Sequence, residues 1–428
     1  MNAAELITRL NDENSDNRLN ALSDIKKKLN SGEMTKPEQT NNVNNHIHTT
    51  FSFSPYSPAK AVYMAYMNGL VTAGIMDHDS VGGAKEFIEA GKILNISTTV
   101  GIEIRADMSK TKLNGRRLNN TDQSSIAYVA LHGIPNQYID YAGGYIAPFR
   151  KNRNTRNKKM CENISEIMKP YDIKLDFGEH VLPLSQYANG GSVTERHITY
   201  ALSKLITEKY QTPREALNFL KNIMKLNVAS KVENALLENN PDYYLYDILG
   251  ILKAEMVEQF YVDAYDECPN VEDYIKVAKA TGAIAAYPYL GDVADSVTGD
   301  KRPQKFEDDY IDLLFDEIIR LGFNAVTYMP TRNTKAQLEK LMRLCEKNNL
   351  FQISGEDINS PRQNFICERL NDPMFAHLTD STWALINHEI MATKCEDLGM
   401  FSEKAIKLYP NINERIKKYS QNLYNFML

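Results

Sequence analysis

Short apolar runs alternate with amphipathic helical stretches in two separated parts of the chain, roughly residues 45–135 and 280–365. That alternation is the pattern of βαβ units and predicts a parallel sheet. In the first part, NHIHTTF reads as a strand end, followed by the strands VTAGIM, TTVGIEI and SIAYVAL. Ser57-Pro58 predicts a capped helix start ahead of AKAVYMAYMNGL, because Pro suits the first helical position. Ser80 is the expected cap of VGGAKEFIEAGKIL. In the second part GAIAAYPYL, NAVTYMP and LFQISGED read as strands, with the helix FEDDYIDLLFDEIIRLG between the first two.

Around residue 150, at the basic run RKNRNTRNKK, the alternation stops, and only helical signals continue to about residue 280. Thr212-Pro213-Arg214-Glu215 is a capping box, and YYLYDILGILKAEMVEQF predicts a long helix. The expected organisation is an N-terminal helical extension over 1–44, a barrel built from 45–149 and 279–376, a helical insertion over 150–278, and C-terminal helices over 377–428. Since loops at the C-terminal strand ends form a barrel mouth, the insertion is expected to cover that mouth.

Length and composition agree with this division. The 428 residues exceed the roughly 250 of a (β/α) barrel and leave chain for an insertion. A net charge of −6 argues against coating extended nucleic acid, which demands surplus Lys and Arg. It leaves room for a pocket that takes one phosphate. The first sixteen residues have no apolar core for a signal peptide, and no run approaches the roughly 18 apolar residues of a membrane span. The five cysteines, Cys161, Cys268, Cys345, Cys367 and Cys395, are far apart and predict buried free thiols in a cytoplasmic protein.

Four strand ends carry candidate chemistry. His46 and His48 are two apart on a probable strand, so both imidazoles can reach one point. Asp77-His78-Asp79 ends the next strand, Glu103 and Arg105 the one after, and Glu356-Asp357 the last. Clustered carboxylates repel and desolvate one another, which a cation relieves. Asp79 is the member best read as a helix cap. Arg105 shares a strand face with Glu103 and is suited to binding a phosphate in bidentate fashion.

These motifs resemble the PHP (polymerase and histidinol phosphatase) superfamily of phosphoesterases. NHIHTTFSFSPYSP, GIMDHDSVGGA and VGIEIR are similar to its first motifs, and YPYLGD and SGEDINS to altered forms of its last two. The helical insertion, opening with VTERHITYALSKLITEKY, resembles that of one branch acting on nucleotides and nucleic-acid fragments. The resemblance implies a distorted (β/α)7 barrel, up to three divalent metals and hydrolysis by metal-activated water. It assigns His46, His48, Glu103 and Asp357 to one metal position. Phe53, Tyr287 and Asn359 stand where the family has further ligands, and Tyr128 where it has a strand histidine, with His132 nearby as a substitute.

The resulting expectation is a metal-dependent phosphoesterase acting on a small phosphorylated metabolite or nucleotide. It would hold about one Zn, Mn or Fe ion per chain. His78, Asp77 and Arg105 are the catalytic candidates, with His78 as proton shuttle. Tyr287, Asn359, Arg196, His197, Arg362 and His132 are the candidates for contact with substrate, and Arg302 and Arg332 are weaker anion-pocket candidates. Two alternatives stand beside it: a binding or regulatory protein that has lost catalysis, and a metal-dependent hydrolase of a non-phosphate bond.

Overall fold

The computed structural model describes residues 1–293 and 305–421 of the chain. Arg302 lies outside the described residues. Two helices, α1 (Ala3–Arg9) and α2 (Ser15–Ser31), precede the sheet, and Arg18 of α2 anchors them through an ion pair to Glu86. Next come α3 (Pro58–Met67), β1 (Thr72–His78), α4 (Ala84–Leu94), β2 (Ser97–Asp107) and β3 (Ile126–His132). Ser57 caps α3 through Lys60 N, as its sequence predicts. Ser80 does not cap α4: Gly83 holds that position, and the Ser80 hydroxyl instead accepts from Gly82 N and donates to Gly190 O.

The middle of the chain is helical: α5 (Ile139–Met168), α6 (Glu195–Lys209), α7 (Pro213–Asn218), α8 (Ser230–Glu238), α9 (Tyr244–Phe260) and α10 (Val271–Thr281). The basic run at 150 opens no new element but lies inside α5, whose Arg153, Asn154, Arg156 and Asn157 are buried. Met160, Ile164, Ile198, Leu202, Phe219, Leu252 and Phe260 form an apolar core of the helices' own. The chain then returns through β4 (Ile284–Pro288), α11 (Ile311–Leu321), β5 (Ala325–Tyr328), α12 (Lys335–Lys347) and β6 (Phe351–Ser354). It closes with α13 (Ala376–Lys394), α14 (Glu403–Leu408) and α15 (Ile412–Ser420).

The six strands are ordered β1 to β6 in one sheet. The expected all-parallel pairing fails at β3, which runs antiparallel to both β2 and β4. For β2 and β3 the reason is the connection, since residues 108–125 contain no helix and a parallel return needs a crossover of that kind; β4 points the same way as β2 and so opposes β3 as well. The histidine segment links the two edges of the sheet, since Ile47 bridges Ile75 of β1 and Ile358 beyond β6, both in parallel. Two glycines make room for it. A Cβ on Gly74 would lie 2.7 Å from Asn45 Cα, and one on Gly355 would lie 2.6 Å from His46 Cβ. Among the described residues no helix is long and apolar enough to cross a membrane. All five cysteines are free; Cys395, contrary to expectation, is exposed.

Candidate metal centre and its pocket

Strand register collects the site. His78 is paired with Glu103, and Glu103 with Ala130, so these neighbours point to one face of the sheet, with Arg105 and Tyr128 as the next pair along. The linking segment adds His46 and His48. His46 Nε2 lies 3.2 Å from His48 Nε2 and 3.9 Å from Glu103 Oε2. Asp357 Oδ1, beyond β6, is 3.0 Å from His48 Nε2 and accepts from Asn359 Nδ2 at 2.6 Å. His78 Nδ1 lies 3.1 Å from Glu103 Oε2 yet out of line for a hydrogen bond, a buried nitrogen without a partner.

A divalent metal fits here. The His46, His48 and Glu103 ligand atoms all lie within 4.8 Å of one another, and all three residues are buried. Donors about 2.1 Å from a tetrahedral ion sit about 3.4 Å apart, close to the two contacts of His46. Asp357 meets the group through His48. Electrostatics agree with the geometry. Burial raises the pKa of Glu103, and His46 and His48 oppose that only in part. Burial alone would depress His48, but Asp357 and Glu103 more than offset it and the net shift is upward. Burial also opposes ionisation of Asp357, yet His48 and His46 hold it well below the usual carboxylate range. His46 and His78 are depressed, chiefly by burial.

The centre forms part of the wall of a pocket of about 570 Å³. Arg117 and Asn119 from the β2–β3 connection, Thr194, Glu195 and Arg196 at the start of α6, and Lys253 and Tyr261 at α9 and just beyond it are also in its wall. Asn119 clasps the backbone of Tyr128 from both sides, accepting from its N at 2.7 Å and donating to its O at 2.9 Å. Burial keeps the Tyr128 phenol, which lies beside the His78 ring, protonated far above the ordinary range. Arg117, Lys253 and Glu195 escaped the sequence reading. Arg117 lies in a polar loop and Lys253 within the apolar run of α9, and only the tertiary fold brings them to the strand ends.

Several expected site residues are elsewhere. Arg105 does not face a ligand: it is 3% exposed and paired with Glu267 and Glu195. Asp77 is a buried scaffold, accepting from Thr49 N at 2.7 Å and from Thr49 Oγ1 and Ser52 Oγ at 2.6 Å. His197 is buried in the capping box of α6, its Nδ1 accepting from Thr194 N, with its ring against Phe53. Tyr287 is fully buried and donates to Glu307 Oε1 at 2.9 Å, outside the pocket wall. Arg362 pairs with Asp247 at 2.7 Å and stacks over Tyr243. His132 is buried with an unpartnered Nε2 and joins neither the ligand group nor the pocket wall. Its pKa is depressed to about 3 by burial. Arg332 donates to Leu290 O at 3.3 Å. Asn359 and Arg196 do line the pocket.

No family model and no curated protein matches the sequence. Solved structures do. One is from Bifidobacterium adolescentis, provisionally named a metal-dependent phosphoesterase, at a TM-score of 0.51 and 18% identity over 80% of this chain and 97% of that one. Another is an amidohydrolase from Chromobacterium violaceum with bound sulfate, at 0.50 and 13% over 76% and 90%. The chain shares their fold. At these identities the likeness speaks for the fold alone.

Proposed function

We propose that this chain is a metal-dependent hydrolase of phosphate esters, acting on a small phosphorylated metabolite or nucleotide. The observation that carries the reading is the group His46, His48 and Glu103, backed by Asp357, of which His46, Glu103 and Asp357 line a pocket that also holds Arg117, Arg196 and Lys253. The finer fold belongs to the same proposal. The His46–His48 segment is taken as a further strand, completing a distorted (β/α)7 barrel whose mouth the 150–278 insertion caps. In support, Arg153, Glu195 and Lys253 of the helical region share the pocket with the barrel strand ends.

A divalent ion held by His46, His48, Glu103 and Asp357 would supply Lewis acidity to a water and to a phosphoryl oxygen. The remaining work falls to the chain. The His78 imidazole, kept neutral, takes the proton of the attacking water on the ring nitrogen that does not face Glu103. The Tyr128 phenol stays a hydrogen-bond donor across the working pH range. Arg196 and Arg117 offset the negative charge of the ester. Asn359 holds Asp357 in place through its amide.

The test is a screen of phosphorylated metabolites with protein reconstituted with Zn, Mn or Fe, and again after chelation. Metal-dependent release of phosphate is expected. The amidohydrolase neighbour favours one second reading, hydrolysis of an amide. Turnover of amide substrates with none of phosphate esters would replace the proposal by it. Loss of both activities in metal-loaded protein would leave a binding protein.

A further inference from the structure

A metal-ligating imidazole serves only if the nitrogen aimed at the metal carries no proton, so the other nitrogen must be held as a donor. At His48 the structure shows what holds it. His48 Nδ1 lies 3.2 Å from Ser52 Oγ, and Ser52 Oγ lies 2.6 Å from Asp77 Oδ1. A serine hydroxyl has one proton. The Asp77 oxygen that meets Ser52 also accepts from Thr49 N, and its second oxygen accepts from Thr49 Oγ1. Both oxygens thus work as acceptors, and the Ser52 proton goes to the shorter contact, that with Asp77. Ser52 is left to face His48 with a lone pair, which only a protonated Nδ1 satisfies. Nε2 is then the nitrogen turned toward His46 and Asp357.

We propose that Asp77, acting through Ser52, is the positioning residue that keeps the proton of His48 on Nδ1 and its Nε2 lone pair on the metal position. The inference rests on the metal-centre reading above but needs no substrate. It also accounts for the burial of four polar side chains around the histidine turn: Thr49, Ser52 and Asp77 are fully buried, and His48 is 1% exposed. Buried polar groups of this kind are tolerated when each is bonded.

The experiment uses the full chain with histidine labelled in ¹⁵N and loaded with ¹¹³Cd. Wild type is expected to show cadmium coupling to His48 Nε2 and a slowly exchanging proton on Nδ1. Ser52→Ala should speed exchange of that proton and lower cadmium affinity about 10- to 100-fold, the usual effect of losing such a partner. Asp77→Asn, which keeps an acceptor oxygen but removes the charge, should weaken affinity in the same direction. Should Asp77→Asn fail to fold, Ser52→Ala alone decides whether the relay operates. Coupling to Nδ1 in wild type, or unchanged exchange and affinity in Ser52→Ala, would overturn the proposal. An effect of Ser52→Ala without one of a folded Asp77→Asn would remove Asp77 from it. Intact relay signals in a protein that turns over no phosphate ester would sink the phosphoesterase reading and leave the relay standing.

Discussion

Glu103 and Arg105 are two residues apart on β2, on the same face, yet they belong to two different groups of buried charge. Glu103 joins His46, His48, His78 and Asp357, where two carboxylates meet imidazoles and one imidazole nitrogen is left without a partner. Arg105 joins Arg153, Arg156, Glu195, Glu267 and Asp79, three guanidinium groups against three carboxylates. The second group is balanced in charge within itself, although its buried Arg153 Nε also has no hydrogen-bond partner. Glu267 receives Arg105 and Arg156, Glu195 receives Arg153 at 2.6 Å, and Arg153 also reaches Asp79. It clamps β2 to α5 and the start of α6. The first group is balanced only when a cation is added. Burial of charge alone therefore does not mark a site; burial without internal neutralisation does.

The strongest way to break this contrast is to remove a ligand. Wild type should carry about one divalent metal per chain by plasma mass spectrometry, and His46→Ala or Asp357→Ala close to none. Three equivalents in wild type would mean that other residues replace the ligands lost at Phe53, Tyr287 and Asn359. Next in size is a pair of isosteric variants with opposite effects on the metal-free protein. Glu267→Gln leaves Arg105 and Arg156 buried beside a neutral group and should cost about 3–5 kcal/mol in denaturant unfolding. Glu103→Gln should cost nothing or stabilise, because the folded state raises the pKa of Glu103 and so penalises its ionised form at neutral pH. Equal losses in both would erase the distinction.

Acid should separate the two groups as well. The pKa of His48 is raised above 6.5, so protons compete for its metal-binding nitrogen as pH falls through that raised value. The Glu195 carboxyl is held well below 4.5, with Arg153 and Arg105 overcoming its burial, so its contribution is present above 4.5 and lost only as pH falls through that lower folded value. Metal is thus expected to leave at a higher pH than that at which the helical region loosens, as read by metal release and by amide hydrogen exchange over residues 150–278. The smallest effect expected is that of Arg362→Ala. Its pair with Asp247 is partly exposed, so the loss should stay under about 1 kcal/mol, with turnover unchanged.

What the sequence determined by itself was the local chemistry of the strand ends. An H-x-H pair, a Glu in an apolar run and an Asp at a late strand end can be read directly, because alternation along a strand dictates which residues share a face. The capping box at Thr212 and the Ser57 cap are legible for the same local reason. The tertiary structure alone decided which neighbours each group meets. Arg105 looked like an anion ligand because its partners, Glu195 and Glu267, lie 90 and 162 residues further along the chain. The basic run at 150 marked only where the strand–helix alternation stops, and in the fold a helical period turns its Arg153 and Arg156 inward. Phe53, standing where the family resemblance expects a ligand, is used instead as an apolar contact to His197, Tyr200 and Tyr246 of the helical region. Side-chain direction within one element follows from its period, whereas the charge that meets it depends on how distant elements pack.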